Sequence, residues 1–96
     1  MNIKYLKLAK LEFDDSKSYY ELQQKGLGKS FENEVRSSIN RIKRFPNSYQ
    51  KIFNEIIRCT LHKFPHNILY TQQKDHILII AIAHQHRKPD YWVSRL

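Results

Sequence analysis

The sequence predicts an α+β domain in the order strand, helix, helix, strand, strand, strand. A helical hairpin should pack on one face of a small, mainly antiparallel sheet. Three observations carry this expectation. Residues 77–82 read ILIIAI, a run of strand-forming or small apolar residues that fits only the middle of a sheet. Residues 9–45 instead space their apolar side chains at helical intervals. From Ile52 onward the helical period gives way to short apolar runs divided by turn residues. With 96 residues in all, the chain has room for one hydrophobic core, so 1–96 is expected to be a single domain.

Taken in order, 3–8 alternates and reads as a short strand. Residues 9–24 follow as a helix whose stripe is Ala9, Phe13, Ser16 and Tyr20. Glu12, Asp14 and Asp15 lie in its first half, where the helix dipole favours acids. Gly26 and Gly28 provide the stop and the turn. A second helix over 29–44 starts at Ser30 as N-cap and carries the stripe Phe31, Val35, Ile39, Ile42 and Phe45. Arg41, Lys43 and Arg44 suit its C-terminal end, and Pro46 closes it. Two helices joined by so short a turn should run antiparallel.

Three strands complete the chain, at 56–61, 67–72 and 77–83. The breaks at Phe64-Pro65-His66 and Gln73-Lys74-Asp75 are short enough for hairpins, so the three should form an antiparallel meander. In the first of them Ile57, Cys59 and Leu61 share one face, and Ile56, Arg58 and Thr60 the other. The helical stripes have only the sheet to bury against, which leaves the opposite face at least partly open.

Bulk composition narrows the function classes. The chain is 41% hydrophobic and 12% aromatic, enough for a small core, and two Gly with three Pro argue against a turn-rich barrel. A lone Cys59 excludes an internal disulfide and fits a reducing, cytoplasmic setting. Lys4, Lys7 and Lys10 interrupt the N-terminal stretch, so a signal peptide is not expected, and no apolar run has membrane-spanning length. The net charge of +8 is shared equally between the two halves. Such an excess, spread over the surface, favours a polyanionic or acidic partner.

Chemistry concentrates at the end of the chain. The apolar strand stops at His84, Gln85, His86 and Arg87; Pro89 prevents its continuation, and Tyr91, Trp92 and Arg95 follow. Metal-free RNA cleavage needs a base for the 2′-OH, charge stabilisation at the phosphorus and an acid for the leaving oxygen. His84 and His86 titrate in the right range for acid and base, Arg58 and Arg87 suit a phosphate clamp, and Tyr91 or Trp92 suits base stacking. Plainer roles compete. His84 could simply terminate a strand, and Tyr91 with Trp92 could fold back over the sheet. Arg58, on a strand between apolar neighbours, requires an anionic partner. His84 and His86 find no third ligand at matching spacing, so no metal is expected.

The ordered set of these features resembles the RelE/ParE toxins. Tyr19-Tyr20 lies in the first helix, and the second helix is basic and ended by proline. Arg58, Phe64-Pro65, Tyr70, the apolar strand, His84, Arg87, Pro89, Tyr91-Trp92 and Arg95 then follow as in the plasmid-stabilisation, ParE-like branch. The resemblance spans essentially the whole chain. It implies a bacterial, cytoplasmic toxin of a type II toxin–antitoxin module, acting without cofactor or metal. Its partners would be a cognate antitoxin with an acidic or amphipathic segment and either DNA gyrase or the ribosome with its mRNA. A homodimer or a heterotetramer with the antitoxin is compatible with it. ParE-like members poison gyrase and are not nucleases; RelE-like members cut mRNA in the ribosomal A site. On the second reading Arg58, His84, His86, Arg87 and Tyr91 would be catalytic. On either, Arg41, Arg44, Lys63, Lys88, Trp92 and Arg95 are candidates to hold the target. Gyrase is the favoured target, mRNA the alternative, and a binding module without catalysis the third possibility.

Overall fold

The computed structural model describes residues 1–96. Its elements are strand β1 (Asn2–Tyr5), helices α1 (Lys7–Gln23) and α2 (Leu27–Arg44), strands β2 (Gln50–Phe53), β3 (Ile56–Thr60), β4 (His66–Gln72) and β5 (His76–His84), and a 3₁₀ turn (Val93–Arg95). The expected α+β architecture is present, with one strand more than the sequence suggested. The sheet order is β1-β5-β4-β3-β2. Strands β2 to β5 are antiparallel neighbours, whereas β1 lies parallel to β5, in register from Asn2 opposite His76 to Tyr5 opposite Ile79.

Several boundaries differ from the expected ones. β1 ends at Tyr5 rather than Leu8, because α1 begins at Lys7, two residues ahead of its fully buried Ala9. α2 starts at Leu27, not near Ser30. Gly26 adopts φ 89°, a left-handed conformation open to glycine, and turns the chain within one residue. The Glu21 carboxylate accepts the amides of Gly26 and Gly28 at 3.0 Å each, so a side chain from α1 meets donors that an N-cap would otherwise satisfy. Gly28 sits where the helices touch: a Cβ there would lie 2.7 Å from the Lys17 carbonyl oxygen. Further along the hairpin, Glu32 collects Lys17 from α1 and Lys29 and Arg36 from α2. Hydrogen bonds from Arg36, then Lys17, hold its carboxyl down at about 2.

The unexpected β2 has no buried residue and therefore no apolar pattern to betray it. It exists because Asn54, at φ 49°, allows a tight turn back onto β3.

Helices and sheet meet in one core. Phe31, Val35, Ile39 and Ile42 of α2 and Ala9 of α1 bury against Ile57, Cys59, Ile68, Tyr70, Ile77, Ile79 and Ile82. The other face is not bare. Ile56, Leu69, Ile80, Ala81 and Ala83 form a second, smaller cluster, covered by Trp92 from the C-terminal segment. A bulge in β5 makes both faces possible. Leu69 pairs with Ala81 but Tyr70 pairs with Ile79, leaving Ile80 as the extra residue. Ile80 and Ala81 thus both belong to the Trp92 side, and the residues after them change face.

Candidate functional site: a cationic cleft beside a carboxylate hub

Strand alternation sends Ile57 and Cys59 under the helices and Arg58 to the opposite face. Arg58 is half-buried there, and its one hydrogen bond goes to a neutral group, Gln50 Oε1, at 3.0 Å. Beyond β5 the chain turns at 85–90 and returns across the same face. Trp92 fills the floor, 2% exposed, its indole N–H donating to the Pro89 carbonyl at 3.0 Å and its ring edge-to-face with Phe53. The result is a cleft of about 350 Å³ whose lining brings together Arg58, Arg87 and Lys88 with Asn67, Phe53 and Trp92. Arg87 is exposed and stacks on Tyr91, 3.8 Å from the ring centroid. Its nearest carboxylate oxygen, on Glu12, is 4.0 Å away. Three cations at one cleft, with a single acid (Asp90) in the lining, suit an anionic ligand.

The residue that ties this end of the molecule together is Glu12. Past the end of β1, the outer edge of β5 has no strand beside it. Glu12 Oε1 accepts the Ile82 amide at 3.1 Å, and Arg95 Nη1 donates to the Ile80 carbonyl at 3.1 Å, so side chains occupy the vacant edge. Arg95 also grips both Glu12 oxygens, at 2.8 and 2.9 Å, and the Tyr91 hydroxyl donates to Oε2 at 2.5 Å. Both side chains of this ion pair are largely buried, 11% and 15% exposed. Burial, reinforced by the Glu12 carboxylate, pushes the Tyr91 phenol far above its ordinary range. In this geometry the Tyr91 hydroxyl holds its proton toward Glu12, and Arg95 is ion-paired within the protein. Glu12 was missed in the sequence as anything but a dipole-compatible acid. The available signal was its spacing: one turn after buried Ala9 and one before Ser16, on the flank of the buried stripe.

The histidines divide. Because of the bulge, His84 stands opposite His66 with their ring centroids 5.0 Å apart, at the α1 side of the strand end. It borders both the cationic cleft and a recess beside α1. Its Nδ1 accepts the His86 amide at 3.0 Å, which assigns any proton on the neutral ring to Nε2. His86 is exposed, its ring 5.2 Å from that of His84. His66, 3% exposed, has Nε2 2.9 Å from the Tyr20 hydroxyl and no partner for Nδ1. Burial, with His84 adding to it, lowers its pKa to about 4, so it is neutral at physiological pH.

Besides Arg95, three further expected target-binding cations lie outside the cleft. Arg41 donates to the Ser37 and Ser38 hydroxyls, and with Lys63 it lines a polar recess on α2. There Glu34 accepts the His62 and Lys63 amides and fixes the β3–β4 loop. Arg44 stacks over Phe45 at the end of α2. None of the three lines the cleft. No helix is long and apolar enough to cross a membrane, and no group of three or more His, Cys, Asp or Glu is placed to hold a metal ion.

A family model described as the ParE toxin of the type II toxin–antitoxin system, parDE, matches residues 3–89. The chain belongs to the ParE toxin family. Among solved structures, a chain of the chromosomal ParDE TA system from P. aeruginosa superposes with a TM-score of 0.65. The alignment covers 88% of this chain and 95% of that one at 14% identity, which shows a shared fold. No curated protein sequence matches. The family match extends from β1 to Pro89, and so includes Arg58, His84 and Arg87 but stops short of Tyr91 and Arg95.

Proposed function

We propose that this ParE-family chain is the toxin of a type II module, that it arrests growth by acting on DNA gyrase, and that a cognate antitoxin with an acidic or amphipathic segment restrains it. One observation carries the choice of gyrase over mRNA cleavage. Two of the groups suited to proton transfer are engaged within the protein: the Tyr91 hydroxyl on Glu12 and His84 Nδ1 on the His86 amide. The ionised side chains of the cleft are mainly cations, Arg58, Arg87 and Lys88 beside Asp90. Such a surface is suited to gripping an anionic target; RNA cleavage also needs an acid and a base that are free to act. The net charge of +8 supports the same kind of partner.

Purified protein, gyrase, ATP and supercoiled plasmid provide the test. Detergent treatment should release linear DNA covalently attached to gyrase, in amounts that grow with toxin concentration. Cleavage of mRNA on programmed ribosomes, with no gyrase–DNA complex trapped, would establish the ribonuclease reading instead. Normal bacterial growth on induction of the soluble protein would remove both.

A further inference from the structure

A second recess lies on the other side of the His84 strand end, between α1 and the ends of β4 and β5. It measures about 340 Å³ and is lined by Asp15, Ser16, Tyr19, Tyr20, His66 and His84. Four of these six are rings, each roughly perpendicular to the next. Tyr19 meets Tyr20 at 75°, Tyr20 meets His66 at 74°, and His66 meets His84 at 80°, with centroids 5.0–5.8 Å apart. The four rings thus line the recess in succession, and the faces of neutral aromatic rings attract cations. At the mouth stands Asp15, exposed, the one acid of the lining, whose carboxylate has no ion pair or hydrogen bond. An unpaired carboxylate beside these rings marks a site for a positively charged group.

We infer that this recess receives the guanidinium of an arginine side chain presented by a partner polypeptide. The planar group would lie on a tyrosine face and turn its N–H fork toward Asp15. A polypeptide fits better than a free cation because the lip continues as an apolar stripe. Leu8, Leu11, Tyr19 and Leu22 follow one another along α1 and are 46–88% exposed. Buried His66 forms the back wall uncharged and does not oppose the cation. The inference is independent of the gyrase reading, since it concerns a different recess and a ligand of opposite charge.

Titrating the isotope-labelled full chain by NMR tests it. The probes are the peptide Ac-Ala-Leu-Arg-Leu-Ala-NH2, the same peptide with the neutral isostere citrulline, and agmatine. The arginine peptide should shift the ring resonances of Tyr19, Tyr20 and His84 saturably. Citrulline should bind roughly tenfold more weakly, and Asp15→Asn or Tyr19→Ala should weaken the arginine peptide by a similar factor. Both substitutions fall at exposed positions, and unchanged amide spectra would confirm that the fold is intact. Equal binding of citrulline, shifts confined to other residues, or no saturable shift would overturn the assignment. Agmatine binding as tightly as the peptide would overturn the polypeptide as its source.

Discussion

Arg95 and Arg58 lie on either flank of the same central strands, yet they live under different rules. Arg95 is 11% exposed, forked onto both oxygens of a nearly buried Glu12 and onto a β5 carbonyl. Arg58 is half-buried on the opposite side, offers one hydrogen bond to a neutral amide, and shares its cleft with Arg87 and Lys88. The first arginine is matched in charge by the protein itself; the second is left for something outside it. A buried charge whose partner is internal is committed to architecture, because removing either member strands the other. A charge held in a concave site without a counter-ion is available for binding. On this criterion the region around Glu12 serves the architecture, and the cleft is the surface we propose for the target.

The largest expected effect would come from Glu12→Ala. It strips the partner from Arg95, the acceptor from Tyr91 and the acceptor from the Ile82 amide at once. Equilibrium denaturation should show a loss of roughly 3–5 kcal/mol; a change below about 1 kcal/mol would abolish the distinction between the two regions.

Acid should reach the same side of the molecule next. His66 titrates at about 4 when folded, against an ordinary value near 6.5, so the unfolded chain takes up its proton first as pH falls. The stabilisation from a neutral His66 is therefore complete above about pH 6.5 and lost progressively down to about pH 4. Between pH 7 and pH 5 it amounts to roughly 2 kcal/mol, which His66→Gln should largely remove from the pH dependence of unfolding. An unaltered profile in that variant would show that the imidazole is accessible to protons in the folded state.

Tyr91→Phe is a milder probe of the hub. It deletes one charge-assisted hydrogen bond but leaves the Glu12–Arg95 pair in place. A loss of about 1–2 kcal/mol is expected. Growth inhibition at matched protein levels should survive if Tyr91 is a tether, and collapse if it acts on a substrate.

The smallest effects on stability should accompany Arg58→Ala and Arg87→Ala, within about 1 kcal/mol of the parent. Both should nevertheless reduce growth inhibition by about an order of magnitude, the worth of a charged contact to an anion. Lys74→Ala, in the exposed β4–β5 turn, serves as the comparison and should change neither quantity. Equal growth inhibition by all three variants would take the arginines out of the target site.

Much of this was open to a reader of the sequence. Helical spacing marked α1 and α2, and the glycines marked the hairpin between them, because an apolar stripe must find a surface to bury against. Period-two alternation around Ile57 and Cys59 was enough to turn Arg58 away from the helices. These are relations among residues a few positions apart, where backbone geometry alone determines which side chains share a face. The remainder depended on contacts between distant segments. The parallel pairing of β1 with β5 closes the sheet across more than seventy residues. The Ile80 bulge breaks strict alternation and puts His84 beside His66. Glu12 becomes a hub because β1 ends early and leaves strand-edge groups for a side chain to satisfy. No local pattern encodes a vacancy on a strand edge; it arises when one strand is shorter than its neighbour, and the fold then fills it with the polar groups within reach.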